Sequence, residues 1–197
     1  MPLDVDERLR VEQCLRLAAG PVASAGELAA GVAGHRVGLA GHAFSDAGQL
    51  TDNISIAFGA TIENGIGGSG GDTLVANAVE NRLTGGGGGD VFVFTQSDAQ
   101  AGWLRADGKK MLADRLLDFV SGEDRIDLSA IDAVQGAGAN EAFSWIGGAA
   151  FSNQAGQLRA VEAGGQMRIE GDTDGNGIAD LVIVASGTTI LAGDFVL

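Results

Sequence analysis

Residues 67–75 read Gly-Gly-Ser-Gly-Gly-Asp-Thr-Leu-Val, and residues 85–93 read Gly-Gly-Gly-Gly-Gly-Asp-Val-Phe-Val. Both fit one nonapeptide, G-G-x-G-x-D-x-U-x, in which U is a large apolar residue. Between them, residues 76–84 keep the frame in degenerate form, with Asn77, Asn81 and Leu83 at positions two, six and eight. Position six therefore reads Asp72, Asn81, Asp90, and position eight reads Leu74, Leu83, Phe92. One register earlier Glu63 falls at position six, but position eight is Gly65, so that turn is irregular. A flexible glycine linker has no reason to keep an acid and a large apolar residue in phase.

The repeat has a direct physical reading. Six residues form a turn that glycine follows at little steric cost, and three form a short strand whose middle side chain points inward. Two nonapeptides close one coil, so equivalent loops stack every 18 residues, as Asp72 and Asp90 do, and likewise Glu63 and Asn81. Stacked loops offer backbone carbonyls and carboxylates, an all-oxygen cage suited to Ca²⁺. The expected ligands are Gly68, Gly70 and Asp72 from one loop and Gly86, Gly88 and Asp90 from the next, with Glu63 and Asn81 in the intervening turns. Few apolar side chains stand against the conformational entropy of so much glycine, so metal ligation is expected to complete the fold.

Composition agrees. The 197 residues carry 12 Lys plus Arg against 26 Asp plus Glu, a net charge of −14, with 33 Gly and only 2 Pro. Such a field disfavours nucleic acid and anionic lipid surfaces and favours cations. The chain is 45% hydrophobic with a mean hydropathy of +0.17, enough for a packed core. A lone cysteine, Cys14, excludes an internal disulfide framework. No run approaches the ~20 apolar residues of a membrane helix, so no membrane insertion is expected. The acidic start, Met1 to Glu7, lacks the features of a cleaved signal peptide. The two histidines, His35 and His42, sit in a glycine-rich stretch and read as incidental; no HExxH and no Ser/His/Asp grouping supports catalysis.

The fold class expected is all-β. Residues 1–43 read as a short N-terminal helix, ending at Gly20-Pro21, and a small-residue lead-in; 44–95 as the roll; 96–197 as a C-terminal β-sandwich. Strand-like runs occur at 54–58, 91–94, 125–128, 166–170 and 181–184, and 157–162 with 166–170 reads as a hairpin through Ala163-Gly-Gly165. Asp114, Asp118, Asp124 and Asp127 cluster beyond the last glycine loop, with Asp118 and Asp127 as candidate caps of the final coil, the commoner explanation for any one of them being a solvated turn acid. Asp172, Asp174, Asn176 and Asp180 place oxygens at EF-hand-like spacing, either a second kind of calcium loop or an Asp/Gly/Asn turn between strands.

Taken together, Phe44-Ser-Asp-Ala-Gly48, Asn53-Ile-Ser-Ile-Ala57, Ala60-Thr-Ile-Glu-Asn64, Ile66-Gly-Gly-Ser-Gly70, Asp118-Phe-Val-Ser-Gly-Glu-Asp-Arg-Ile-Asp-Leu-Ser129, Gly171 to Asp180 and Leu191-Ala-Gly-Asp-Phe-Val-Leu197 resemble the RTX region of serralysin-type secreted metalloproteases. The resemblance covers about residues 44–197 without the protease domain. It implies a parallel β-roll with stacked calcium loops running into an antiparallel β-sandwich, and Ca²⁺ as the cofactor. It also implies an extracellular, secreted protein exported by a type I (ABC) transporter that reads Asp194, Phe195, Val196 and Leu197. The function expected is a non-catalytic calcium-binding module that folds on calcium and directs type I secretion. The alternative is the C-terminal part of a zinc metalloprotease whose catalytic domain is missing from this chain; a third reading that the resemblance implies is a carbohydrate-associated module, because similar RTX modules accompany polysaccharide-modifying enzymes. The partners implied are calcium ions, the transporter and, where catalysis lies on another polypeptide, a separate catalytic chain.

Overall fold

The computed structural model describes residues 27–29, 34–40, 44–47, 50–55, 62–96, 113–136, 138 and 140–197. The helix expected within 1–20, and His42, lie outside the described residues.

The glycine repeat forms a succession of short strands, three of three residues and one of five: β5 (Asn64–Ile66), β6 (Thr73–Val75), β7 (Arg82–Thr84) and β8 (Val91–Thr95). β5 pairs in parallel with β7, and β6 with β8, each at an offset of 18 residues. This is the coil that the nonapeptide predicts, with alternate strands falling in two facing sheets. β9 (Asp114–Leu116) and β10 (Arg125–Ala130) add the next coil, pairing in parallel with β7 and β8.

The strand pairing also runs back before the glycine repeat. β1 (Glu27–Ala29) pairs with β5, and β2 (Arg36–Gly38) with β6. Both pairs are 37 residues apart rather than 18, because the chain between them makes the antiparallel hairpin of β3 (Phe44–Ala47) and β4 (Leu50–Ser55). Ser45 ties that hairpin to the roll, its Oγ accepting the Gly38 N–H at 2.9 Å.

Two residues beyond each position six, Val37, Leu74, Leu83, Phe92, Leu116 and Ile126 point between the sheets and are buried. Each contributes on the order of 1.5–3 kcal/mol. Gly65 takes the same place in the irregular turn; a Cβ there would lie 3.2 Å from Leu83 Cδ2, and buried Leu39 helps to occupy the space.

The C-terminal half continues these two sheets. β11 (Ser144–Trp145), β12 (Gln157–Ala163), β13 (Gln166–Asp172) and β14 (Leu181–Ser186) extend the first sheet, whose order is β1-β5-β7-β9-β14-β13-β12-β11. Parallel pairing persists through β14 and turns antiparallel across β14-β13-β12. The β12–β13 hairpin turns on Gly164 and Gly165, both at positive φ, as a two-residue loop requires. β15 (Phe195–Val196) closes the second sheet, β15-β10-β8-β6-β2, in parallel with β10. Ile169, Ile183, Leu158, Leu128 and Ile131 join the roll residues in one apolar cluster.

Candidate metal centre

The acids at position six form a ladder along one side of the roll. Asp72 N–H donates to Asp90 Oδ1 at 2.7 Å, and Asp90 N–H donates to Asp124 Oδ1 at 2.9 Å. At the other end His35 N–H donates to Asp72 Oδ1 at 2.6 Å. Within their own turns, Asp72 Oδ2 accepts Gly68 N–H, and Asp124 Oδ2 accepts Val120 N–H. Asp118 reaches the neighbouring loop, one oxygen accepting Gly85 N–H at 2.9 Å and the other Gly86 N–H at 2.8 Å.

These carboxylates are out of water: Asp72 and Asp90 are each 1% exposed and Asp124 is 4% exposed. Among the described residues neither Asp90 nor Asp124 has a cationic side chain within ion-pair distance, and Asp72 has His35, whose Nδ1 lies 3.7 Å away. Burial, reinforced by Asp124, Asp72 and Asp118, pushes the Asp90 carboxyl up to about 6. The loops approach so closely that a Cβ on Gly86, at φ +100°, would lie within bonding range of the Gly68 carbonyl oxygen, and one on Gly88 would meet Gly70 at 2.7 Å. Hard oxygen donors, concentrated negative charge and closely stacked backbones fit a calcium ion.

The opposite side of the roll differs. Asn77 Nδ2 donates to the carbonyls of Leu39 at 2.9 Å and Ile62 at 2.7 Å. Asn81 Nδ2 donates to Ile62 and Glu63 carbonyls, while its Oδ1 accepts Asn77 N–H. Side-chain amides thus satisfy carbonyls that a cation would otherwise gather. Glu63 and Asn81 belong to this amide-linked side, and Asn81 N–H continues it to Asp114 Oδ1 at 2.7 Å. Asp127 is not brought to the ladder. Its Oδ1 accepts the N–H and Oγ–H of Ser129, and Asp124 takes the rung instead.

His35, read from sequence as incidental, occupies position six of an early nonapeptide and is buried against Asp72. The signal was present as His35-Arg36-Val37 in the spacing of Asp72-Thr73-Leu74, masked by the hairpin insertion.

The second acidic loop gathers Asp172, Asp174 and Asp180, whose ligand oxygens lie within 4.8 Å of one another. Asp172 accepts Gly175 and Gly177 N–H groups, Asp180 Oδ2 accepts Thr173 N–H and Oγ–H, and Asp174 accepts the N–H and Nδ2 of Asn176.

At the C-terminal strand, buried Asp194 accepts Ser121 Oγ–H at 2.6 Å, Gly122 N–H at 2.8 Å and Leu191 N–H at 2.7 Å. Phe195 packs on Trp145 with ring centroids 5.0 Å apart, while Val196 and Leu197 are exposed.

The family model described as peptidase M10 serralysin C terminal matches residues 30–197. The chain belongs to this family. The serralysin-type domain is 34% identical over 172 residues to a metallopeptidase AprA of Pseudomonas marginalis, covering 77% of this chain and 33% of the relative. It is 41% identical over 136 residues to serralysin C of Dickeya chrysanthemi, covering 60% of this chain and 27% of that one. It spans between about a fifth and a third of the length of such relatives. Among solved structures, the AlgE6R3 subunit of the Azotobacter vinelandii mannuronan C5-epimerase matches at a TM-score of 0.47 and 20% identity, covering 89% of this chain and 81% of that one. Among the described residues of the serralysin-type domain, no helix is long and apolar enough to cross a membrane.

Proposed function

We propose that this domain is a calcium-binding RTX module that folds on calcium and directs type I secretion to the cell exterior. The observation that carries the reading is the buried Asp72–Asp90–Asp124 ladder, in which Asp90 and Asp124 have no cationic side-chain partner among the described residues. On this reading Gly68, Gly70, Asp72, Gly86, Gly88 and Asp90 hold the ion of the stacked loops, and Asp118 and Asp124 close the next position. Calcium supplies the positive charge that lets adjacent coils stack without carboxylate repulsion. The protein's part is to present oxygens in a glycine-only turn and to keep water from the apolar face behind them. Asp172, Asp174, Asn176 and Asp180 are proposed to hold a second kind of calcium ion.

Calcium titration followed by circular dichroism tests the proposal. Chelator should remove β signal, and calcium should restore it at about 10⁻⁴–10⁻³ M, the range of extracellular modules. A spectrum and melting temperature indifferent to chelator would refute it. For export, deletion of Asp194–Leu197 should block passage through a cognate transporter while leaving calcium binding at Asp72 and Asp90 intact. Normal export of the truncated chain would defeat that half.

A second reading is favoured by the coverage of relatives: the domain would serve as the C-terminal part of a secreted zinc metalloprotease, with catalysis upstream or on a separate chain. The purified domain should then cleave no casein, with or without zinc, until joined to that catalytic part. Cleavage by the domain alone would overturn both readings.

A further inference from the structure

The outer face of the first sheet carries a row of arginines fixed by strand register. Arg82 on β7 lies directly opposite Arg115 on β9, Arg115 opposite Val184 on β14, and Val184 opposite Arg168 on β13. Their neighbours Leu83, Leu116, Met167 and Ile169 point into the core, so the arginines face outward. From β5 to β12 the row reads Asn64, Arg82, Arg115, Val184, Arg168, Val161, and every charged residue in it is an arginine. Arg159 stands beside the row, sharing Glu170 with Arg168 and lying over the Phe151 ring at 4.3 Å. Four of the six arginines among the described residues thus share one face of a chain with a net charge of −14.

Like charges directly opposite on neighbouring strands oppose sheet pairing. The roll has no need of them: at the same repeat position in the other sheet, Arg36 and Arg125 are kept apart by Thr73 and Val91. On the arginine face Glu80 gives Arg115 a partner at 3.9 Å, and Glu170 is buried beneath Arg159 and Arg168. The face therefore keeps a net positive charge where the rest of the sequence is acidic.

We infer that this row binds an extended acidic polysaccharide, a chain of uronic-acid sugars laid across the strands. Guanidinium groups take carboxylates in a two-pronged fit. Strands are about 4.8 Å apart, close to the length of one pyranose residue, and carboxylates on one side of such a chain recur at every second sugar, so they keep step with Arg115 and, two strands on, Arg168, with Arg82 beside the first. Val184, between Arg115 and Arg168, offers an apolar seat for a sugar C–H face. An acidic peptide repeats its same-face side chains at about 6.7 Å and falls out of step. Single-stranded nucleic acid needs open aromatic platforms, and Phe151 is covered by Arg159.

The test is calorimetric titration of the full chain, in calcium, with oligogalacturonate too short to gel, the fold of each sample being checked by circular dichroism. Arg82→Gln with Arg115→Gln should weaken binding by about tenfold, and Glu80→Gln should strengthen it by removing a competing carboxylate. Absence of binding, equal affinity in the double variant, or equal affinity for poly-glutamate would overturn the inference. Because folding is read separately, a domain that folds on calcium and ignores the sugar defeats this inference and leaves the calcium reading intact.

Discussion

The backbone N–H of Asp72 donates to the side chain of Asp90 at 2.7 Å, so each carboxylate of the ladder grips the main chain of the coil before it. The carboxylate is a structural strut as well as a candidate metal ligand. Loss of the side chain therefore removes two things, charge and an acceptor, and substitutions can separate them.

The Asp90 carboxyl, pushed up by burial and by Asp124, Asp72 and Asp118 to about 6 from 3.8, takes up a proton more readily folded than unfolded. Its contribution to stability is thus fully present below pH 3.8 and is lost as pH rises through about 6. With chelator present, the share of the roll that stays folded should fall as pH rises across that window, and Asp90→Asn should flatten the fall. With calcium present the trend should reverse, because the ion binds the ionised form. Denaturation curves at stepped pH, with chelator and with calcium, check the sign.

If Asp72 and Asp90 serve one ion, Asp72→Ala and Asp90→Ala should each weaken calcium binding, and the double variant should add little. Isothermal titration of the three variants decides this. Losses that add in full would assign the two carboxylates to separate ions.

Gly86 and Gly136 both have positive φ, but only Gly86 faces a neighbouring coil, Gly136 having nothing within 4 Å of an added Cβ. Gly136→Ala should cost about 1–2 kcal/mol from backbone conformation alone. Gly86→Ala should cost more and should also impair calcium binding, since the coil must move away from the Gly68 carbonyl. Paired thermal melts and calcium titrations test the difference.

Asp194 is 2% exposed and accepts three hydrogen bonds. Asp194→Ala strands the Ser121 hydroxyl and the Gly122 and Leu191 amides and should destabilise the domain by about 1–3 kcal/mol. Asp194→Asn, which keeps an acceptor, should recover part of the loss. Chemical denaturation of both variants gives the comparison.

The roll was legible from sequence where glycine, acid and apolar residue recur in phase, as at Asp72 with Leu74 and Asp90 with Phe92. The β12–β13 hairpin was legible because two glycines separate alternating runs. The coil formed by β1 and β2 was not, since His35 stands in the acid's place and the β3–β4 hairpin breaks the 18-residue spacing. Nor could spacing show that Asn77 and Asn81 turn amide donors toward Leu39, Ile62 and Glu63 carbonyls; Asn81 fits position six equally as an oxygen ligand. Asp124 and Asp127 were indistinguishable until the turn at 120–124 set one inward and left the other against Ser129. The arginine row depends on pairing between strands as distant as Arg82 and Arg168, which no local pattern encodes.

The ladder also has a direction. Peeling the chain away from β2 withdraws the His35 amide from Asp72, leaving a carboxylate that water can reach. Peeling from the other end would take Asp124 from the Asp90 amide only after β15 had been stripped from β10. The far end is further held because β9 is clamped between β7 and β14. Under mechanical load the roll should yield from its β2 side, one coil at a time. Between Asp72 and Asp90 each coil releases about 60 Å of extended chain, a step that single-molecule stretching resolves.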